Sequence, residues 1–129
     1  MIVVDTSAVV AVLFGEPGSA DVEQQLLSAP CVMSAATRVE LGIVIEAKRG
    51  AAGVLLLDEL MARLDIRIEP VDEGMAEEAL ACWRRFGKGR HPAALNFGDV
   101  FSYALARQHG LPLLCVGDDF SRTDIPLAG

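Results

Sequence analysis

The feature that most restricts the fold is the opening segment Met1-Ile2-Val3-Val4-Asp5-Thr6-Ser7, where an apolar run stops at a carboxylate and two hydroxyls. Ile2, Val3 and Val4 are β-branched with no polar residue between them. That is the pattern of a short strand covered on both faces, as in a parallel sheet. Asp5 then falls at the carboxyl end of the strand, the edge where open α/β sheets leave a crevice for ligands. Two readings of this stretch stand side by side: Asp5, Thr6 or Ser7 caps the next helix, or Asp5 is the first ligand of a metal site.

The rest of the chain alternates short apolar runs with helical patterns. Residues 8–14 are apolar all round, which predicts a helix buried on several sides or completed by a partner. Gly15-Glu16-Pro17-Gly18 ends it. Ser19 is placed to cap a second helix to about Ala29, with Val22 and Leu26 inward. A second strand is expected at Cys31-Val32-Met33, then a helix from Ser34 to Lys48 with Val39, Ile43 and Ala47 as its stripe and Glu40 one position away. Arg49-Gly50 stops that helix, and another, from about Ala52 to Leu64, presents Leu56, Leu60 and Leu64. Ile66-Arg67-Ile68 reads as a third strand. Asp72-Glu73 opens a helix whose apolar face is Met75, Ala79, Cys82 and Phe86. Two glycines and a proline break the chain over residues 87–92, leaving a flexible loop. Asn96 or Gly98 opens a helix to about His109, Leu113 to Val116 is the last clear strand, and the tail is irregular with a short final strand near Ile125 to Leu127. This order predicts an α/β fold, a short parallel central sheet flanked by helices, as one domain over residues 1–129.

The acids that stand at strand ends or helix starts are few. Asp5 follows the first strand, Asp118-Asp119 follows the last, Asp99 lies in the first turn of its helix, and Glu40 sits between Val39 and Leu41. Taken singly, each has a plainer reading: an exposed helical acid for Glu40, a dipole partner for Asp99, a turn residue for Asp119. Gathered together, they cannot all stay ionised in a low dielectric without a compensating cation. An oxygen-only donor set without His or Cys suits Mg²⁺ or Mn²⁺ better than zinc, and such an ion can activate water for attack on a phosphodiester. Asp5 is the expected first ligand of such a site, with Glu40, Asp99 and the Asp118-Asp119 pair as the acids available to join it.

The chain carries a formal net charge of −7, so no global field draws it to nucleic acid. Locally, however, Arg84, Arg85, Lys88, Arg90 and His91 lie together without an intervening acid. Cations at a helix end account for Arg84 and Arg85. Lys88 and Arg90, in the glycine loop just before Asp99, are expected to hold phosphates beside the metal. Gly87-Lys88-Gly89 is too short for a nucleotide-binding loop. Three cysteines with no close pair argue against a disulfide framework or a zinc knuckle and fit a reducing, cytoplasmic setting. No basic leader, cleavage motif or membrane-length apolar run is present, so an unprocessed chain off the membrane is expected.

Val4-Asp5-Thr6-Ser7-Ala8, Val39-Glu40-Leu41, the run from Gly87 to Asp99 with its Asn96-Phe97-Gly98-Asp99 close, and Gly117-Asp118-Asp119-Phe120 occur in order along the whole chain. Together they resemble the VapC toxins of the PIN-domain ribonucleases. The resemblance implies a PIN-like three-layer sandwich and a Mg²⁺- or Mn²⁺-dependent endoribonuclease of a toxin-antitoxin system, with RNA as substrate. It also implies site acids at Asp5, Glu40, Asp99 and Asp119, with Asp119 preferred to Asp118, and Ser7 as a hydroxyl that orients a ligand or water; on that footing Asp5 and Asp99 are the expected principal metal ligands, with Glu40 and Asp119 completing the cage or positioning water. A cognate antitoxin and a homodimer are implied too; a groove beside the helix of residues 8–14 could accept an antitoxin segment. Ser7 is left to cap that helix while Asp5 holds the ion. Two other classes compete: a receiver-type signalling domain, which would want an acidic pair after its first strand and a lysine after its last, and a non-catalytic binding module.

Overall fold

The computed structural model describes all 129 residues. Four short strands, β1 (Ile2–Val4), β2 (Cys31–Ser34), β3 (Ile66–Glu69) and β4 (Leu113–Leu114), form one parallel sheet in the order β3-β2-β1-β4. The helices are α1 (Thr6–Leu13), α2 (Ser19–Ser28), α3 (Ala35–Leu64), α4 (Glu73–Phe86) and α5 (Asp99–His109). Side-chain alternation along the strands builds two cores. Ile2, Val4, Cys31, Met33 and Leu114 pack with residues of α1, α2 and α3 on one face. Val3, Val32 and Leu113 pack with α4 and α5 on the other. The expected α/β sandwich is therefore the observed one.

The chain runs from β1 outward through β2 to β3, then returns to place β4 on the free side of β1. Strand order reverses between β1 and β4, and at such a switch point the carboxyl ends part to leave a crevice. Asp5 follows β1 there, and its backbone N–H donates to the Leu114 carbonyl at 3.0 Å. β4 is shorter than its apolar run suggests because Val116 leaves the sheet, its N–H donating to Ser7 Oγ at 2.9 Å. The expected final strand reduces to one parallel bridge, Leu127 beside Leu113.

Most helix assignments agree with local pattern. The inward face of α4 is Met75, Ala79, Cys82 and Phe86, and Asp72 caps it by accepting from the Met75 N–H at 2.8 Å. Gly50 interrupts α3 at φ 61°, ψ −156°, a conformation open essentially to glycine alone, so the anticipated stop is a sharp kink between two helical halves. The N-cap position of α2 falls on Gly18 and not on Ser19.

Two stripes differ from expectation. In the first half of α3 the buried residues are Thr37, Leu41 and Ile45, whereas Val39 and Ile43 are 61% and 64% exposed. The two sets share a four-residue spacing and lie about 200° apart around the helix, so periodicity alone does not choose between them. In the second half, Gly53, Leu57, Leu60 and Leu64 face inward and Leu56 is 55% exposed. The loop of residues 87–95 is also less free than its glycines suggest. Lys88 N–H donates to the Leu95 carbonyl and Leu95 N–H to the Phe86 carbonyl, both at 2.9 Å, closing it into a turn.

The α3 assignment has a direct thermodynamic check. Leu41→Ala should cost about 2–5 kcal/mol, as cavity formation in a core does, and Val39→Ala no more than about 0.5 kcal/mol. Urea denaturation of the two variants measures both; a larger loss for Val39→Ala would reverse the facing of the helix.

Candidate active site

Asp5 itself is the N-cap of α1, so the capping reading of the opening segment holds for this residue and Ser7 is displaced from that role. The residue is 3% exposed, and both carboxylate oxygens are engaged. Oδ2 accepts from the Ser7 N–H at 3.1 Å and the Ser7 hydroxyl at 2.7 Å, and Oδ1 accepts from the Ser102 hydroxyl at 2.6 Å. Ser7 Oγ also accepts from the Val116 N–H, so this hydroxyl ties the exit of β4 to Asp5. Ser102 in turn lies 3.3 Å from the hydroxyl of buried Thr37. With the Ser102 proton directed at Asp5, Thr37 is the donor in that pair.

Glu40 reaches the same cleft from α3. It is half-buried, and its Oε1 accepts from the Thr6 hydroxyl at 2.5 Å. Asp99 enters from the first turn of α5, where it and Asn96 bond reciprocally. Asn96 N–H donates to Asp99 Oδ2 at 3.0 Å and Asp99 N–H to Asn96 Oδ1 at 2.9 Å. This Asx pairing starts a helix whose N-cap position, Gly98, offers no side-chain bond. The cleft they share is about 390 Å³ and is lined by Asp5, Thr6, Ser7, Glu40, Asn96 and Asp99, among others.

The electrostatics record how close these acids stand. The Asp99 carboxyl is pushed up to about 7, first by burial and then by the charges of Asp5, Glu40 and Asp119, against the lowering effect of the Asn96 N–H. Burial and the charges of Asp5, Asp119 and Asp99 push the Cys115 thiol up to about 12. Asp119 is exposed and does not line the cleft, yet its charge reaches both Asp99 and Cys115. Glu16 also lines the cleft and was missed in the sequence, where it reads as part of a turn. The structure thus brings Asp5, Glu40 and Asp99 together and leaves Asp119 outside the cleft lining. Their oxygens hold hydroxyl and amide donors and do not converge as a ready three-ligand cage. The set is all oxygen and mutually repulsive, and it suits a hard divalent cation that would compensate the charge whose repulsion helps raise Asp99.

The basic residues lie elsewhere. The Arg90 guanidinium stacks 4.4 Å from the Trp83 ring, and Lys88 is exposed in the closed loop. Arg85 and Arg107 each approach Asp124 at 3.3 Å, and the Tyr103 hydroxyl donates to the same carboxylate. The Tyr103 hydroxyl first, then the two guanidinium groups, hold Asp124 below the usual carboxylate range, so this acid fastens the tail to α4 and α5. A second groove, about 400 Å³, runs between α4 and α5 and includes Leu80, Trp83, Phe97 and Phe101; with an entirely apolar lining it contains no acid or base for chemistry.

The raised Asp99 value lies above the ordinary carboxylate value near 4, so in metal-free protein ionising Asp99 costs folding stability as pH climbs from about 4 through about 7. Relative to wild type, Asp99→Asn should gain stability across that window. Urea titrations at pH 4 and pH 8 without divalent ions test this; a gap that does not widen at pH 8 contradicts it.

Comparison with known proteins identifies the family. The PIN domain family matches residues 2–126. A ribonuclease VapC of Mycolicibacterium smegmatis is 44% identical over 124 residues, covering 95% of this chain and 96% of that protein. Among solved structures, Mycobacterium tuberculosis VapC20, described as a Sarcin-Ricin loop cleaving toxin, superposes with a TM-score of 0.79 at 20% identity, covering 99% of this chain and 98% of that one. A chain of a toxin-antitoxin complex from Klebsiella pneumoniae does so with a TM-score of 0.69 at 20% identity, covering 99% and 97%. The receiver-type alternative falls with this match, and the chain belongs to the PIN-domain family, among its VapC ribonucleases.

Proposed function

We propose that this VapC-type chain, the toxin of a toxin-antitoxin pair, hydrolyses RNA phosphodiester bonds at the acidic cleft with Mg²⁺, for which Mn²⁺ can substitute. The observation that carries the assignment is the meeting of Asp5, Glu40 and Asp99 at the switch point, where burial and then the charges of Asp5 and Glu40 help raise Asp99 to about 7. Asp5 and Asp99 would hold the ion, with Glu40 and Asp119 completing its surroundings or positioning water. A bound divalent ion would supply charge to the phosphate oxygens and acidify water. Ser7 and Ser102 fix both Asp5 oxygens in place, so the carboxylate needs little reorganisation. Lys88 and Arg90 grip the RNA backbone from the turn after α4, and the Trp83 ring restrains the Arg90 guanidinium.

Two surfaces suit the protein partners. An apolar groove of about 330 Å³, formed by Val12, Leu13, Leu56 and Leu60 with Glu23, Glu59 and Arg63 beside them, is suited to an amphipathic antitoxin segment. The apolar groove between α4 and α5, where Phe97 is 80% exposed, is suited to a second copy of the chain. No helix is long and apolar enough to cross a membrane, and the three free cysteines suit the cytoplasm as the working compartment.

Asp5→Asn tests the metal assignment, because Asn keeps a side-chain acceptor for the cap. The variant should still fold cooperatively, though less stably because one of the two accepting oxygens becomes an amide donor, yet lose Mn²⁺ binding by calorimetry and lose cleavage by more than the roughly 100-fold typical of outer partners. Undiminished cleavage by the purified variant rejects the site. For the basic turn, RNA binding is measured in an Asp5→Asn background with and without Lys88→Ala and Arg90→Ala. Losing two phosphate contacts should flatten the slope of log affinity against log salt by about 1.4 for single-stranded RNA. An unchanged slope places the RNA elsewhere.

A further inference from the structure

Gly98 precedes Asp99 at the start of α5, with φ −68° and ψ −40°. Any residue adopts these angles, so backbone freedom does not require glycine there. Space does. A Cβ on Gly98 would lie 1.6 Å from Glu40 Oε2, 2.3 Å from its Cδ and 2.8 Å from Oε1. The room a side chain would fill is occupied by the Glu40 carboxylate, which comes from a helix 58 positions earlier in the chain. On its other side the same carboxylate accepts from the hydroxyl of Thr6, a buried residue one position after Asp5.

We propose that Gly98 is a positioning residue: its bare Cα is the seat of the Glu40 carboxylate, and with the Thr6 hydroxyl it clamps that carboxylate between Asp5 and Asp99. The clamp links the three acids through their immediate neighbours. Thr6 follows Asp5, Gly98 precedes Asp99, and Glu40 lies between them, so α1, α3 and α5 are held at a common spacing around the cleft. Gly98→Ala displaces the carboxylate without altering any acid. Thr6→Val keeps the shape and removes the donor, whereas Thr6→Ser keeps the donor.

The inference rests on the proposed metal-dependent cleavage, but its test includes a measurement independent of activity. Thermal unfolding without metal, Mn²⁺ affinity and RNA cleavage are compared for Gly98→Ala, Glu40→Ala, the double variant, Thr6→Val and Thr6→Ser. Gly98→Ala should lower kcat by about 10- to 100-fold with a smaller change in KM, weaken Mn²⁺ binding and lower the melting temperature. In the Glu40→Ala background the vacated space admits the new methyl, so adding Gly98→Ala should cost nothing further in any of the three. Thr6→Ser should restore most of what Thr6→Val loses. Losses from Gly98→Ala that simply add to those of Glu40→Ala, or a Gly98→Ala variant that matches wild type, would overturn the clamp. If Glu40→Ala alone cleaves normally, the role of Glu40 in cleavage fails, while the coupling in melting temperature still decides whether Gly98 seats its carboxylate.

Discussion

Holding an acid at 3% exposure demands compensation for lost hydration, and the interior polar chemistry of this fold is arranged around that demand at Asp5. The buried polar residues are Asp5, Thr6, Ser34, Thr37 and Ser102. Three of the four hydroxyls serve the acids: Ser102 donates to Asp5, Thr37 supports Ser102, and Thr6 donates to Glu40. Ser34 instead caps α3 by accepting from the Ala36 N–H. No buried side-chain polar atom is left without a partner. Hydrogen bonds to a charged group contribute about 1.5–3 kcal/mol each, so the three on Asp5 make a substantial fraction of a small domain's stability depend on this one carboxylate.

Strand order converts that local requirement into a cleft. Because β1 has β2 on one side and the late-returning β4 on the other, the chain diverges above Asp5 and admits Glu40 from α3 and Asp99 from α5. The two cores hold these helices on opposite faces of the sheet, α3 with one and α5 with the other. The cleft is therefore a seam between separately packed halves, and the contact of Glu40 with Gly98 crosses it. Acids that repel one another would tend to open such a seam. With its carboxyl pushed up to about 7, Asp99 relieves the repulsion in metal-free protein by taking up a proton as pH falls below that value, and a divalent cation would relieve it without one.

A chain of 129 residues has limited means of covering its apolar side chains, and this one leaves Leu27, Val39, Ile43, Leu55, Leu56, Leu80, Trp83 and Phe97 exposed. Several of them border two distinct grooves, one beside α1 and the second half of α3, the other between α4 and α5. Such surface is more than packing of a lone domain requires and accords with life in an assembly. The chain carries a net charge of −7, and against it Lys88 and Arg90, both exposed, share a single hydrogen-bonded turn.

The sequence by itself determined whatever rests on neighbouring residues. The β-branched run ending at Asp5, the stop at Gly50, the inward face of α4 and the alternation of strands with helices are local patterns, and local sterics and periodicity suffice to read them. The acids and the family likeness are legible for the same reason, since a motif keeps its residues in order along the chain. Tertiary structure decided the rest. Thr37-Leu41-Ile45 and Val39-Ile43-Ala47 have the same spacing, and only the placement of the sheet and α1 makes the first the buried stripe. Ser102 stands 97 positions from the carboxylate it serves, Glu16 reads as a turn residue until the turn folds over the cleft, and Gly98 reads as a helix start until Glu40 fills its side-chain space. In each case the partner is distant along the chain, and only packing brings the two into contact.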